Sequence, residues 1–190
     1  MKIVVVGPGA MGLLFAAALA RARQEVWLLD HNKERAAALS QAGIRLEGAS
    51  GSWEQKVAVS AEPGSLPSPD LILVCVKAYD TKEAAKSIKP LVKDQTYVLT
   101  LQNGVGNVEL LAEIVGEDKV IGGVTSEGAT LTDTGCVTHA GKGETVIGLA
   151  DGKMPVAMRQ IREAFNRAGF ETLLSLDIKS LLWSKLVINA

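Results

Sequence analysis

Cysteine and histidine are nearly missing from this chain, with two of each among 190 residues. Cys75 and Cys136 cannot build a disulfide framework or a four-ligand zinc site. His31 and His139 stand at no metal-like spacing from them or from each other. No metal centre is therefore expected, and a reducing, cytoplasmic setting fits such sparing use of thiols. An excess of one charge is lacking too. A formal net charge of −1 removes the electrostatic reason to expect nucleic acid or an anionic membrane as partner. No uninterrupted apolar run of ~20 residues occurs, so no transmembrane helix is expected. Lys2 and the mostly apolar stretch to Ala20 imitate a secretory signal, but the glycines and proline of "GPGAMG" break the apolar helix that a signal needs. Arg21 and Arg23 then fall where a small-residue cleavage region should extend.

What is present is the balance of a globular protein with a substantial core, 47% hydrophobic and 22% charged. The length allows one large domain, or one domain plus part of another. "KIVVV" (2–6) is β-branched without polar alternation, the mark of a strand buried on both faces of a parallel sheet. A helix is predicted from Ala10 to about Arg23, a strand at 25–30, and a helix at 33–43 closed by Gly43. "IRLEG" and "WEQKVAVS" read as two strands of a hairpin or of a crossover excursion. "LILVCV" (71–76) and "TYVLTLQ" (96–102) are further strands, with a helix over Thr81–Ile88 between them. From Val120 to Ala150 glycines and threonines punctuate short β-prone pieces, which predicts an antiparallel extension. A helix at 156–168 capped by Gly169 follows, then "FETLLSL", then a last helix with Asp177 as its N-cap. The alternation of strand and helix predicts an α/β fold with a doubly wound, Rossmann-type, mostly parallel sheet.

"VVVGPGAMG" sets Gly7, Gly9 and Gly12 in the G-x-G-x-x-G spacing between that first strand and the first helix. Gly7 suits a tight turn, Gly9 lets a pyrophosphate approach the backbone, and Gly12 lets helix and strand pack closely. With Pro8, Ala10 and Met11 these residues form the candidate dinucleotide loop, whose helix N-terminus offers free N–H groups to phosphate. Asp30 lies 18 residues after Gly12, where an acid usually binds a ribose 2′-OH and points to NAD(H). Yet His31, Lys33 and Arg35 follow at once, and any of them could pair with a 2′-phosphate. Asp30 also reads as a cap of the helix it precedes, with Lys33 and Arg35 on a solvated face. The cofactor preference stays open at this point.

Ligands of doubly wound folds sit beyond the carboxyl ends of the strands. There the chain carries "VKAYD" (76–80) and "LQNGVGN" (101–107), which make Lys77 and Asn103 candidates beside the reacting atoms. A lysine at a strand end can equally reach solvent, and Asn-Gly is at home in an ordinary turn. The closing "SLLWSKLVINA" is less ambiguous. On a helical wheel with Leu181 at zero, Lys185 falls near about 40° and Asn189 near about 80°. Leu181, Leu182, Leu186 and Ile188 share that arc, so both polar residues sit inside an apolar face.

Taken together, "VVGPGAMG", "VCVKAYDT", "LQNGVGN", "GCVTHAGKGETVIG" and "LWSKLVINA" resemble the ketopantoate reductase (2-dehydropantoate 2-reductase) family along essentially the whole chain. The resemblance implies NADP(H) as cofactor, with NAD(H) kept open by Asp30, and a small 2-keto acid as substrate. It implies that Lys185 is the general acid protonating the alkoxide as hydride arrives, and that Asn189 binds substrate. Lys77 and Asn103 would line the nicotinamide and substrate region, and an ordinary lysine is already protonated at neutral pH. Where family members often carry an arginine for the 2′-phosphate, this chain has His31 preceded by Asp30. The resemblance further implies a division into a dinucleotide-binding domain at 1–175 and, at 176–190, the first helix of a helical substrate domain. That domain would hold about a hundred further residues, among them the catalytic glutamate, so the chain is expected to be truncated. A homodimer stays open. Two other readings stand beside this one: another 2-hydroxyacid or opine-type dehydrogenase, and a non-catalytic NAD(H)-sensing module. The sensor has no use for Lys185 and Asn189 inside an apolar helix face.

Overall fold

The structure, a computed structural model, describes residues 1–189; the side chain of Asn189 and all of Ala190 lie outside the described residues. In chain order the first elements are β1 (Lys2–Val6), α1 (Ala10–Arg21), β2 (Glu25–Leu29), α2 (Lys33–Ala42), β3 (Ile44–Gly48), β4 (Trp53–Gln55) and β5 (Ala58–Ser60). Then come β6 (Leu71–Val74), α3 (Thr81–Ile88), β7 (Tyr97–Thr100), α4 (Asn107–Val115) and β8 (Val120–Thr125). The last are β9 (Gly128–Asp133), β10 (Cys136–Gly141), β11 (Thr145–Leu149), α5 (Val156–Arg167), β12 (Thr172–Leu174) and α6 (Ile178–Asn189).

An eight-stranded sheet in the order β12-β11-β8-β7-β6-β1-β2-β5 organises these elements. From β5 to β8 every pairing is parallel, β11 runs antiparallel to β8, and β12 is parallel to β11. β1 alternates as a doubly buried strand must. Ile3 and Val5 join one core, while Val4 and Val6 join the core on the opposite face. The order reverses at β1, which has β2 on one side and β6 on the other. That switch point opens the crevice where a doubly wound sheet takes its ligand.

A second, four-stranded sheet in the order β4-β3-β10-β9 corrects part of the sequence reading. "WEQKVAVS" is not one strand. Its first half, β4, forms a hairpin with β3, while its second half, β5, joins the main sheet beside β2. The segment 120–150 is likewise divided: β8 continues the parallel sheet, and only β11 extends it antiparallel. β9 and β10 pair antiparallel with each other, and β10 runs parallel to β3 in the small sheet. This arrangement has a reason in α1, where every residue from Gly12 to Leu19 is buried. A helix apolar all round must be covered on all sides, and α1 lies between the main sheet and the small one.

All three phenylalanines of the chain meet there. Phe15 of α1 packs against Phe165 of α5 and Phe170, with ring centroids 5.7 and 4.7 Å away, and Phe165 and Phe170 are 6.1 Å apart. Such rings contribute burial and about 0.5–1.5 kcal/mol per pair beyond it. Asp177 caps α6 as expected, accepting from the Ser180 N–H at 3.1 Å. The helix then docks on β8 and β11, where a Cβ on Gly148 would stand 2.5 Å from the Ser175 carbonyl and 3.0 Å from Ile178. Among the described residues no helix is long and apolar enough to cross a membrane.

Candidate active site

The glycine loop follows from where β1 ends. Gly7 has φ +97°, a conformation that costs a side chain dearly, and a Cβ there would lie 2.8 Å from Val76 of the neighbouring strand end. A Cβ on Gly12 would meet the Gly7 carbonyl at 2.0 Å, so helix and loop touch through the missing side chain. Gly9 is different, since a Cβ there would meet nothing within 4 Å. Its neighbourhood is open, as an approaching diphosphate requires. No side chain caps α1 and no acid stands in its first turn, so its unpaired N–H groups and partial positive charge face that space. A dinucleotide thus fits this loop. Pro8 is buried, and Gly9, Ala10 and Met11 line a cleft of about 880 Å³.

Gly7 and His31 instead line a second hollow of about 400 Å³, on the β2 side of the loop, with Val76 bordering both. Asp30 does not face into it. Its side chain is fully buried and held by Arg35, whose Nε and Nη2 donate to the two carboxylate oxygens at 2.6 and 2.7 Å. The Asn32 N–H donates to it as well, at 3.0 Å. The α2 cap is Asn32, which accepts from the Arg35 N–H, so the reading of Asp30 as the cap is corrected. Lys33 is engaged by Glu62 at 2.8 Å in solvent, and His31 is 90% exposed. Arg35 is therefore the cation that answers Asp30, and the bond to that carboxylate raises its pKa further.

Across the large cleft, the ends of β6 and β7 are tied by side chains that the sequence reading passed over. Gln102 donates to the Val76 carbonyl at 2.7 Å and to Thr81 Oγ1 at 2.8 Å. Thr81 donates to Asn107, whose amide reaches back to the Asn103 carbonyl, both at 3.2 Å. This network fixes the two loops that carry Lys77 and Asn103, and both residues are exposed on the cleft wall. Lys185 enters the same cleft from α6. Its Nζ donates to the Thr125 carbonyl at the end of β8, at 2.7 Å. Partial burial lowers its pKa, so it is a readier proton donor than the unperturbed lysine expected from sequence. Asn189 ends the helix, and its side chain is outside the described residues. Cys75, also on the wall, is kept as a thiol, its pKa pushed up to about 12 by burial.

Two further residues went unread. Glu127, in the turn after β8, lines the cleft and meets His139 of β10 at 2.6 Å, with both side chains almost wholly buried. The signal available was the alternation of "CVTHAG", which puts His139 on the inward side with Val137. A buried histidine needs a partner. Among the described residues no group of three or more His, Cys, Asp or Glu could hold a metal ion.

A sheet that reverses at β1, with its glycine turn open above the switch point, is the architecture of Rossmann-type dinucleotide-binding chains. A family described as ketopantoate reductase PanE/ApbA matches residues 3–152. The chain belongs to that family. A 2-dehydropantoate 2-reductase of Halobacterium salinarum is 37% identical over 190 residues, covering all of this chain and 62% of that protein. The crystal structure of 2-dehydropantoate 2-reductase from Geobacter metallireducens superposes with a TM-score of 0.92 at 31% identity, over all of this chain and 62% of that one. A D-mandelate dehydrogenase, solved as a ternary structure with NADH and anilino(oxo)acetate, has a TM-score of 0.87 at 27% identity, over 97% of this chain and 60% of that one. The chain thus spans about three fifths of the length of such relatives.

Proposed function

We propose that this chain is the cofactor-binding part of an NADPH-dependent reductase that converts 2-dehydropantoate to pantoate, in the supply of pantothenate and coenzyme A. In this reading residues 1–175 form the dinucleotide-binding domain, and 176–190 begin the helical substrate domain. The observation that carries it is the Lys185 ammonium, held by the Thr125 carbonyl at 2.7 Å in the same cleft as Gly9, Ala10 and Met11. A bound NADPH supplies a hydride to the ketone carbon. The chain's own residues do the rest. The α1 N-terminus and the glycine loop bind the pyrophosphate, while Lys77 and Asn103 orient the reacting ends. Lys185 stabilises the negative charge that develops on the substrate oxygen and gives it a proton, and it is reprotonated from solvent. Asn189 joins Asn103 and Lys77 as a substrate-binding residue.

NADPH is favoured over NADH because the Asp30 carboxylate is fully buried and already accepts three hydrogen bonds, from Arg35 and the Asn32 N–H. It is a poor acceptor for a ribose hydroxyl, and its charge is answered, which leaves Arg35 and His31 to meet a 2′-phosphate. The two cysteines are free thiols, in keeping with a cytoplasmic protein. A second reading, another 2-hydroxyacid dehydrogenase, is favoured by the likeness to the D-mandelate dehydrogenase. Turnover by the full-length protein decides between them. Rapid NADPH oxidation with 2-dehydropantoate and little with phenylglyoxylate supports the proposal, and the reverse supports the second reading. Cofactor binding without oxidation by any small 2-keto acid leaves only the sensing module.

A further inference from the structure

We propose that the buried Glu127–His139 pair is a positioning device for Lys185, acting through the β8–β9 turn; this rests on the reductase reading above. Glu127 sits two residues after Thr125, whose carbonyl holds the lysine ammonium. The Glu127 N–H donates to Thr125 Oγ1 at 3.2 Å, and that hydroxyl shares a 2.7 Å hydrogen bond with Thr145 of β11. The turn is therefore pinned to the main sheet on one side. On the other side the chain enters β9 at Gly128, which pairs with Gly141, and the Glu127 carboxylate adds a side-chain anchor, held at 2.6 Å by His139 of the small sheet. The pair thus ties the two sheets together at the edge of the cleft, on the stretch that presents the acceptor for Lys185.

The pair stands alone in its surroundings. His139 Nδ1 is buried without a hydrogen-bond partner among the described residues, so the Nε2 contact with Glu127 is the polar anchor of the ring. Gly48 and Ala129 stand opposite His139 on β3 and β9, and neither carries a charge. The charged and titratable side chains sharing the cleft with Lys185 are Glu127, Lys77, Cys75 and Tyr79, of which Glu127 alone is an acid.

Losing His139 frees the turn. A displaced Thr125 carbonyl no longer favours the ammonium, which lowers the Lys185 pKa. The test uses full-length protein with His139→Leu, His139→Gln and Glu127→Ala. Lys185 is followed by NMR of 13Cε-labelled lysine, assigned against Lys185→Arg, together with pH profiles of kcat and NADPH affinity. His139→Leu should lower kcat by about tenfold to a hundredfold, as a misplaced group does. The Lys185 midpoint and the alkaline limb should move to lower pH, with NADPH affinity kept. His139→Gln retains an N–H for Glu127 and should recover most of both. Should His139→Leu not fold, Glu127→Ala, which removes the other half of the anchor, must move the midpoint the same way. An active wild type whose Lys185 midpoint stays put in the folded variants overturns the positioning role. A moved midpoint in a protein that reduces no 2-keto acid overturns the reductase reading alone.

Discussion

Arg35→Ala probes cofactor preference and folding at the same point. Two charge-assisted bonds of 2.6 and 2.7 Å join Arg35 to a carboxylate with no exposed surface, while the arginine side chain itself is 41% exposed. Removing one member of a buried pair costs about 3–5 kcal/mol, because the other charge is left without its partner. Solvent already screens one side of this pair, which brings the expected loss of stability nearer to ~2 kcal/mol. Asp30→Asn, which keeps an acceptor and removes the charge, should cost less.

Binding gives the sharper result. If Arg35 also meets the 2′-phosphate, its loss removes a hydrogen bond between charged groups, worth about 1.5–3 kcal/mol. That weakens NADPH binding about 10- to 150-fold. NADH should bind no worse, since the bared Asp30 becomes an acceptor for a ribose 2′-OH. Calorimetric titration of both cofactors into the full-length variant, beside a denaturation curve, reads all three quantities. Equal weakening for NADPH and NADH would refute the reasoning, because Arg35 would then act through stability alone.

Lys185→Ala should lower kcat by about a hundredfold or more with cofactor affinity nearly intact, the signature of a lost general acid; an unchanged kcat would make the lysine structural. Burial lowers the Lys185 pKa, so the acid form is lost, and kcat falls, as pH rises through a midpoint below the ordinary lysine range; a limb at or above that range contradicts the cleft geometry. Gly9→Val should cost no more than about 1 kcal/mol of stability, the loss of a tolerated N-cap, since its Cβ meets nothing within 4 Å and φ is −76°. The same change should abolish tight dinucleotide binding, and affinity retained by calorimetry would put the pyrophosphate elsewhere. Phe165→Ala removes a ring from the three-phenylalanine cluster and should cost about 3–5 kcal/mol in urea unfolding; a loss under about 1 kcal/mol would mean that the α1–α5 contact carries little of the stability.

What the sequence made legible is what local physics decides. β-branched runs such as "KIVVV" announce doubly buried strands, G-x-G-x-x-G announces its turn, and Asp177 announces α6. Each depends on residues within a few positions of one another. The small sheet was illegible because its central pairing, β3 with β10, joins Ile44–Gly48 to Cys136–Gly141. Nothing local in either segment names the other, and a strand-like stretch reads the same in whichever sheet it lies. The only trace was α1, too apolar around its whole circumference to be covered by one sheet. The cofactor end failed for another reason. His31, Lys33 and Arg35 are equivalent cations in sequence, and the choice among them is made by geometry: α2 turns Arg35 back onto Asp30 while Lys33 goes to Glu62. The same holds for Lys185. Its apolar surroundings could be read from a wheel, but the Thr125 carbonyl that fixes its ammonium lies 60 residues away on β8. The parts of the site that the sequence could mark at all are those in which one segment suffices, and those missed join two segments: Glu127 with His139, Gln102 with Val76, Arg35 with a strand end. A site at a switch point is made of such junctions, since the carboxyl ends of separate strands meet there and nowhere else.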